Sequence, residues 1–365
     1  METTYSKHRP VAIWLFVGVG MLIIMVMLGG ITRLTGSGLS IAEWKPIMGA
    51  IPPMNQAQWE HAFEQYKQIG QFKYLNSDFT LTDFKHIFFW EWFHREWGRL
   101  IGVVFLLPFI WFIIKRKIDA SMIVPLAILF LLGGLQGAIG WIMVQSGLNE
   151  NDLYVSHIRL AGHFITAMLL TSYTLWFGLK LIVPVREIQY KPGLRKLNLL
   201  LIVVLVVQLI FGAFMSGLHA ATAASTWPSI NGAAVPPGML TQGSFLQDIS
   251  HNLITVQFIH RGLAYLVTLL VVSWWWNARK SDPRSLLHKI HIVPLLLVLL
   301  QVLLGVLTVL NARIHIPIAL ASIHQCVGML LLLSLVTSLF ISRGKDGATY
   351  LYVKPPRPED AIGTL

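Results

Sequence analysis

The chain has 365 residues, of which 55% are hydrophobic and only 12% charged, and its mean hydropathy is +0.63. That balance is too apolar to stay dispersed in water, so it excludes a soluble domain and points to a polytopic membrane protein. The net charge of +11 could suggest nucleic acid as a partner, but the basic residues are spread over short connecting loops, where they set topology rather than form a binding patch.

The first apolar run, at about 11–31, follows a short basic stretch. It is long for a signal-peptide core and leads into Gly29-Gly30-Ile31-Thr32-Arg33 without a small-x-small cleavage pattern, so it reads as a retained helix. The few residues before it include Glu2 and are too short for a mitochondrial presequence, which favours a bacterial plasma (inner) membrane. A long loop at 32–89 follows, in which Trp59, Phe63 and Tyr66 recur at the spacing of an amphipathic helix. Such a helix could lie on the membrane surface and cover a site.

Further apolar runs at about 93–114, 123–144, 160–183, 197–218, 253–276, 292–311 and 317–342 are each long enough to span. Eight transmembrane helices are expected. The 219–252 loop is rich in Ala, Gly, Ser and Pro and holds His219 and His251, a pair that could bind a metal, although no partner stands at ligand spacing. No role follows for His86 or His157. Cys326 is the only cysteine, so no internal disulfide can form.

Eighteen Lys/Arg and seven Asp/Glu fall on one side, in the N-terminal stretch, the loops at 115–119, 180–196 and 279–289, and the tail. The other side carries ten of each. By the positive-inside rule the richer side is cytoplasmic, and so are both termini.

The chain repeats itself. Gly36-Ser37-Gly38-Leu39, Trp44-Lys45-Pro46 and Pro52-Pro53 are echoed by Met215-Ser216-Gly217-Leu218, Trp227-Pro228 and Pro236-Pro237; His94-Arg95 by His260-Arg261; Gln136 and Gly140 by Gln301 and Gly305; and His163 by His324. The fold expected is therefore all-α, with eight helices arranged as two tandem four-helix bundles related by a pseudo-two-fold axis along the membrane normal. The halves are 1–183 and 197–342, joined by a cytoplasmic linker at 184–196 and followed by a cytoplasmic tail at 343–365.

His94, His163, His260 and His324 each lie 17 to 21 residues before the basic residue that closes their segment, about 25–30 Å along a helix. All four thus sit near the outer edge of the membrane. A cofactor in a bundle core draws its ligands from facing helices at one level, and neutral imidazoles are common axial ligands of haem iron; the expected pairs are His94 with His163 and His260 with His324. Arg95, Arg159 and Arg261 stand close to these histidines and could grip haem propionates, as could Arg99, although snorkelling to lipid headgroups would also account for such arginines. The halves differ: Glu91 lies three residues before His94 where Gln257 precedes His260, and Arg99 and Arg159 become Tyr265 and Leu320. An intramembrane carboxylate is a candidate for function, for proton transfer or charge stabilisation, or else a partner for Arg95 or Arg99.

At these residues the chain resembles the haem A synthase family. The stretches that carry the resemblance are Gly29 to Ser40, Glu91-Trp92-Phe93-His94-Arg95, Gln136-Gly137 with Gly140-Trp141 and Ser146-Gly147-Leu148, Arg159 to His163, Gln257 to Arg261, and His324-Gln325. The long first loop is similar to the proteobacterial and mitochondrial branch, and the cysteine pair of the other branch is absent. The resemblance implies an oxidoreductase that converts the C8 methyl of haem O to a formyl group by two successive hydroxylations, giving haem A for terminal oxidase assembly. It implies haem B as cofactor, ligated by His260 and His324 with Arg261 beside it. His94 and His163 would hold the substrate haem with Arg95 and Arg159, and Glu91 would be the catalytic carboxylate. Candidate partners, besides haem O and membrane lipid, are the farnesyltransferase that makes haem O and cytochrome oxidase assembly factors. Two other classes fit less well: a cytochrome b-type electron carrier needs haems near opposite faces, and a transporter of parallel repeats needs a polar midplane site.

Overall fold

A peptide group in hydrocarbon has no water to bond, so an apolar run must satisfy its own N–H and C=O groups, and here the apolar runs do so as α-helices. The computed structural model describes residues 2–43 and 48–343, the side chains of 2–6 and 48 excepted. The Trp44-Lys45-Pro46 motif and the tail beyond 343 lie outside the described residues.

In chain order the α-helices are α1 (Glu2–Leu34), α2 (Gln56–Tyr66), α3 (Gly70–Leu75), α4 (Leu81–Ile114), α5 (Ala120–Gln145), α6 (His157–Ile182), α7 (Pro192–Gly217), α8 (Phe245–His251), α9 (Leu253–Ala278), α10 (Leu286–Ile290), α11 (Ile292–Leu310) and α12 (Ile318–Ile341). Among the described residues there is no strand, only an isolated bridge between Ile230 and Ala233. Eight spans are long and apolar enough to cross a membrane, carried by α1, α4, α5, α6, α7, α9, α10 with α11, and α12. These are the eight expected from the sequence.

The N-terminal part of α4 differs from expectation. The apolar run suggests a start near 93, but the helix begins at Leu81, where Thr80 and Asp83 form a reciprocal capping box. The added turns rise beyond the apolar run and carry Phe84, Ile87 and Phe88, all buried. Against them lies α2, and its apolar face is not laid on lipid. Trp59 meets Phe88 with ring centroids 5.0 Å apart, Phe63 meets Phe84 at 5.1 Å, and Tyr66 meets Phe84 at 5.4 Å. The amphipathic spacing is thus satisfied by protein, because the extended α4 offers an aromatic partner that the sequence run did not reveal.

The helix pairings repeat. α1 packs on α4 and α6, and α5 on α4 and α6; correspondingly α7 packs on α9 and α12, and α11 on α9 and α12. Across the seam α1 meets α12, α6 meets α7, and α6 meets α12. This pattern is consistent with two tandem bundles about a pseudo-two-fold axis, with α6 and α12 beside that axis. They are accordingly rich in buried residues, such as Met168, Leu175 and Leu179 on α6 and Met329, Leu332 and Leu335 on α12, and these share a single core with Leu201 and Leu205 of α7. At polar points the seam is also tied by Gln325, whose Nε2 donates to the Val26 carbonyl at 2.9 Å.

Candidate functional site

The four helix histidines occupy repeated settings. His94 on α4 and His260 on α9 turn toward the backbone of Met25 on α1 and Gln208 on α7. His163 on α6 and His324 on α12 meet glutamines from the neighbouring helix. The Gln136 amide lies 3.1 Å from His163 Nδ1 and donates to the His163 carbonyl at 2.7 Å, while His324 Nδ1 donates to the Gln301 carbonyl at 3.1 Å and the Gln301 amide lies 3.3 Å from its Nε2. His94 and His163 are electrostatic neighbours, as are His260 and His324. The structure therefore brings together the pairs expected from the sequence.

Each imidazole is seated against a glycine of the adjacent helix. A Cβ built on Gly29, Gly140, Gly212 or Gly305 would come within 3.1, 2.8, 3.3 or 3.0 Å of Cε1 of His94, His163, His260 or His324 respectively. At Gly140 an added methyl would force the imidazole to move, and at the other three seats the ring would have to give by a few tenths of an ångström. Gly140 and Gly305 were visible in the repeat; Gly29, Gly212 and the Gln208 amide, 3.5 Å from His260 Nε2, were not singled out, although Gly29 lies in a quoted motif. Among the described residues, His94 Nδ1 and His260 Nδ1 are buried and make no hydrogen bond. A buried ring nitrogen left this way is unfavourable unless something else bonds there, and a neutral imidazole in a pair is a donor set that suits haem iron.

Around these pairs the outer loops are fastened by one device used twice. Glu91, 2% exposed, accepts at Oε2 from Ser40 Oγ and the Ile41 N–H, each at 2.8 Å, and at Oε1 from Arg95 at 2.5 Å. Arg95 also donates to the carbonyls of Ile41 at 3.0 Å and Glu43 at 3.1 Å. In the second half Gln257 donates to the Ala224 carbonyl at 2.9 Å, and Arg261 donates to Ala224 and Ser229 carbonyls, each at 3.2 Å. The carboxylate thus has Arg95 as a partner, the spacing being i,i+4 on one helix face, while Arg99 pairs with Glu96. Arg159, exposed at the start of α6, donates to the Ile142 carbonyl at 2.9 Å.

These contacts revise the register of the repeat. They put Gln208, Gly212 and Ala224 where Met25, Gly29 and Ile41 stand, about one helical turn out of step with the match of Ser37 to Ser216. The short Ser-Gly-Leu identity is local; the contacts of the helix that carries it fix the true equivalence.

A cavity of about 570 Å³ opens between the first outer loop, α2 and the Arg95 and Arg99 side chains of α4. Beside it, Tyr66 is fully buried, donating to Gln71 at 3.0 Å and accepting from Asn76 at 2.7 Å. Burial, with a further contribution from the Glu91 charge, pushes its phenol up to about 12. It remains a neutral donor near the carboxylate. His219 and His251 each have another ring as neighbour: His219 lies against Tyr154 with the rings tilted and centroids 4.4 Å apart, and His251 meets His157 edge-on at 4.6 Å. No group of three or more His, Cys, Asp or Glu suited to a metal ion occurs among the described residues.

Comparison with known proteins finds relatives along nearly the whole chain. Residues 12–336 match the family model described as "Cytochrome oxidase assembly protein". The chain is 44% identical over 343 residues to "Heme A synthase" of Rhodospirillum centenum, covering 94% of this chain and 91% of that one. It is 41% identical over 347 residues to "Heme A synthase" of Granulibacter bethesdensis, covering 94% and 90%, and 39% identical over 332 residues to that of Nitrosomonas eutropha, covering 89% and 92%. Since these matches run through both halves, and so through both histidine pairs, the chain belongs to the cytochrome oxidase assembly protein family.

Proposed function

We propose that this protein is a haem A synthase, an oxidoreductase that converts the C8 methyl of haem O to a formyl group by two successive hydroxylations. The observation that carries this reading is the extended similarity to relatives named "Heme A synthase", 44% identity across nearly the full length in one case. The paired, glycine-backed imidazoles support it locally. A cytochrome b-type carrier would share the imidazoles but not that similarity.

In this reading residues 1–183 form the substrate half and 197–342 the cofactor half. His260 and His324 would hold haem B, which when bound supplies the redox chemistry. His94 and His163 would hold the iron of haem O and so fix where its methyl group lies. Glu91, three residues before His94, would stabilise positive charge or move a proton at the reacting edge. Its hydrogen bonds from Ser40, Ile41 and Arg95 keep the carboxylate in one orientation and the outer loop closed over it. Arg95 and Arg261 fasten loop carbonyls and still have N–H donors to spare for propionates, and Arg159 would do the same from α6.

Extraction and chromatography of the haems of protein purified from cells that make haem O tests the reading. Haem A together with haem B is expected; haem B alone, with no haem A or hydroxylated haem O, would exclude the synthase activity. The location proposed is the bacterial plasma membrane with cytoplasmic termini, so reporters fused after Arg116, Arg186 or Arg284 should read cytoplasmic and those near Lys67 or Gly238 periplasmic. The reverse pattern would overturn the orientation.

The glycine seats give a sharper expectation. Gly→Ala inside a helix ordinarily favours the helix by about 1 kcal/mol, yet Gly140→Ala and Gly305→Ala would press a methyl onto His163 and His324. Both should lose several-fold in bound haem per protein in haem O-making cells while the protein accumulates normally. Gly134→Ala, with nothing within 4 Å, should bind haem as the wild type does; equal haem content in all three would remove the glycine seats from the argument.

A further inference from the structure

Arg33 belongs to the Gly29 to Ser40 motif, and neither the histidine pairs nor the loop fasteners use it. It lies near the outer end of α1, and all three guanidinium nitrogens are shut off from solvent with no hydrogen bond among the described residues. Its stem is partly accessible, so only the charged head is sequestered. A buried guanidinium without an anion or acceptors is strongly unfavourable. The groups that face it are Tyr154, from the α5–α6 connection, and His219, from the loop after α7.

Neither group neutralises it. His219 is held down to about 4 by burial first and by the Arg33 charge second, so it is an uncharged neighbour. The nearby carboxylate of Asp152 lines a cavity of about 300 Å³ with Tyr154, His157 and His219, but Asp152 is exposed and accepts from Asn149 at 2.7 Å. The position is also singular. By the register that the contacts establish, the second half has Ser216 where the first has Arg33, so one cation serves both sides of the seam.

Its level relates it to both histidine pairs. A Cβ on Gly29 would touch His94, and one on Gly30 would overlap Gln325, the residue after His324. Arg33 stands about one turn farther out, between the bundles. A carboxylate projecting outward from the edge of a bound haem would meet it there, and guanidinium binds a carboxylate through two parallel hydrogen bonds. We propose that Arg33 binds a haem propionate at the seam between the two halves, an anion site that neither half forms alone. The proposal rests on the reading that haems bind at the histidine pairs.

Full-length wild type, Arg33→Gln and Arg33→Lys are purified from cells that make haem B alone and from cells that also make haem O. Bound haems are extracted and quantified, and the reduction equilibrium of each is titrated optically. Removing the cation that neutralises a propionate leaves more negative charge on the haem and favours the ferric form, so Arg33→Gln should shift that equilibrium about tenfold, equivalent to about 59 mV for one electron. A shift in cells with haem B alone assigns the propionate to the haem at His260 and His324. A several-fold loss of retained haem O or haem A, with haem B unshifted, assigns it to the haem at His94 and His163.

Arg33→Lys keeps the charge but not the planar fork, and it provides the reading if Arg33→Gln does not accumulate. Its propionate-bending band in resonance Raman should move relative to wild type. Unchanged haem content and equilibrium in Arg33→Gln, or an unmoved band in Arg33→Lys, overturns the proposal. Failure of the synthase reading looks different, because the wild type itself would then make no haem A.

Discussion

Glu91→Gln should lower haem A formation about 100-fold or more, with haem O or a hydroxylated intermediate accumulating in its place. The substitution copies Gln257, which holds its own loop by donating to the Ala224 carbonyl, so insertion and the haem B spectrum should survive. What is lost is an ionisable group and one of its two acceptor oxygens, of which Oε1 takes Arg95 and Oε2 takes Ser40. Glu91→Asp keeps the charge and withdraws it by one methylene, and should fall between. Measured by chromatography of haems from matched amounts of purified protein, a normal haem A yield in Glu91→Gln would reduce Glu91 to a fastener of Arg95 and the outer loop.

Replacement of the imidazoles should separate the two halves. His260→Ala and His324→Ala should lose most or all of the haem B measured after extraction, because in the proposed reading each would remove an axial ligand from that haem. His94→Ala and His163→Ala should retain haem B while turnover of haem O fails. The glycine backing predicts that small cavities at these seats do not collapse the helices, so protein levels by immunoblot should stay close to wild type. Equal loss of haem B from all four variants would refute separate roles for the halves.

Much of this molecule is written in periodicities that one sequence exposes. The eight spans follow from run length and the absence of water, and the shared depth of the histidines follows from a fixed rise per residue. Gln136 with Gly140, and Gln301 with Gly305, were legible because both members of each pair recur at the same spacing. The longer α4 was half legible: Thr80 and Asp83 have capping-box spacing, but Lys85, His86 and Glu91 interrupt the apolar run and hid the helix that precedes the span. The partner of α2 was not legible, since an amphipathic face does not say whether lipid or protein covers it. The repeat register failed where a short identity competed with contacts between distant helices. Arg33 could be quoted as part of a motif, but its isolation arises from what surrounds it, which no local pattern records.

The seam described above makes the same contact twice, α1 on α12 and α7 on α6, with α6 and α12 meeting each other at the centre. Those are the contacts of an isologous homodimer. A four-helix ancestor that paired with a second copy of itself would already have possessed the whole interface, and an even number of spans would have kept both copies in one orientation. Fusion of the copies through the segment 184–196 then removes the constraint that every residue serve two environments at once. Glu91 and Gln257, or Arg33 and Ser216, can differ only once the two copies are encoded separately, as a fusion makes them, so the asymmetry that distinguishes the halves is a freedom that a symmetric dimer of one gene product cannot have.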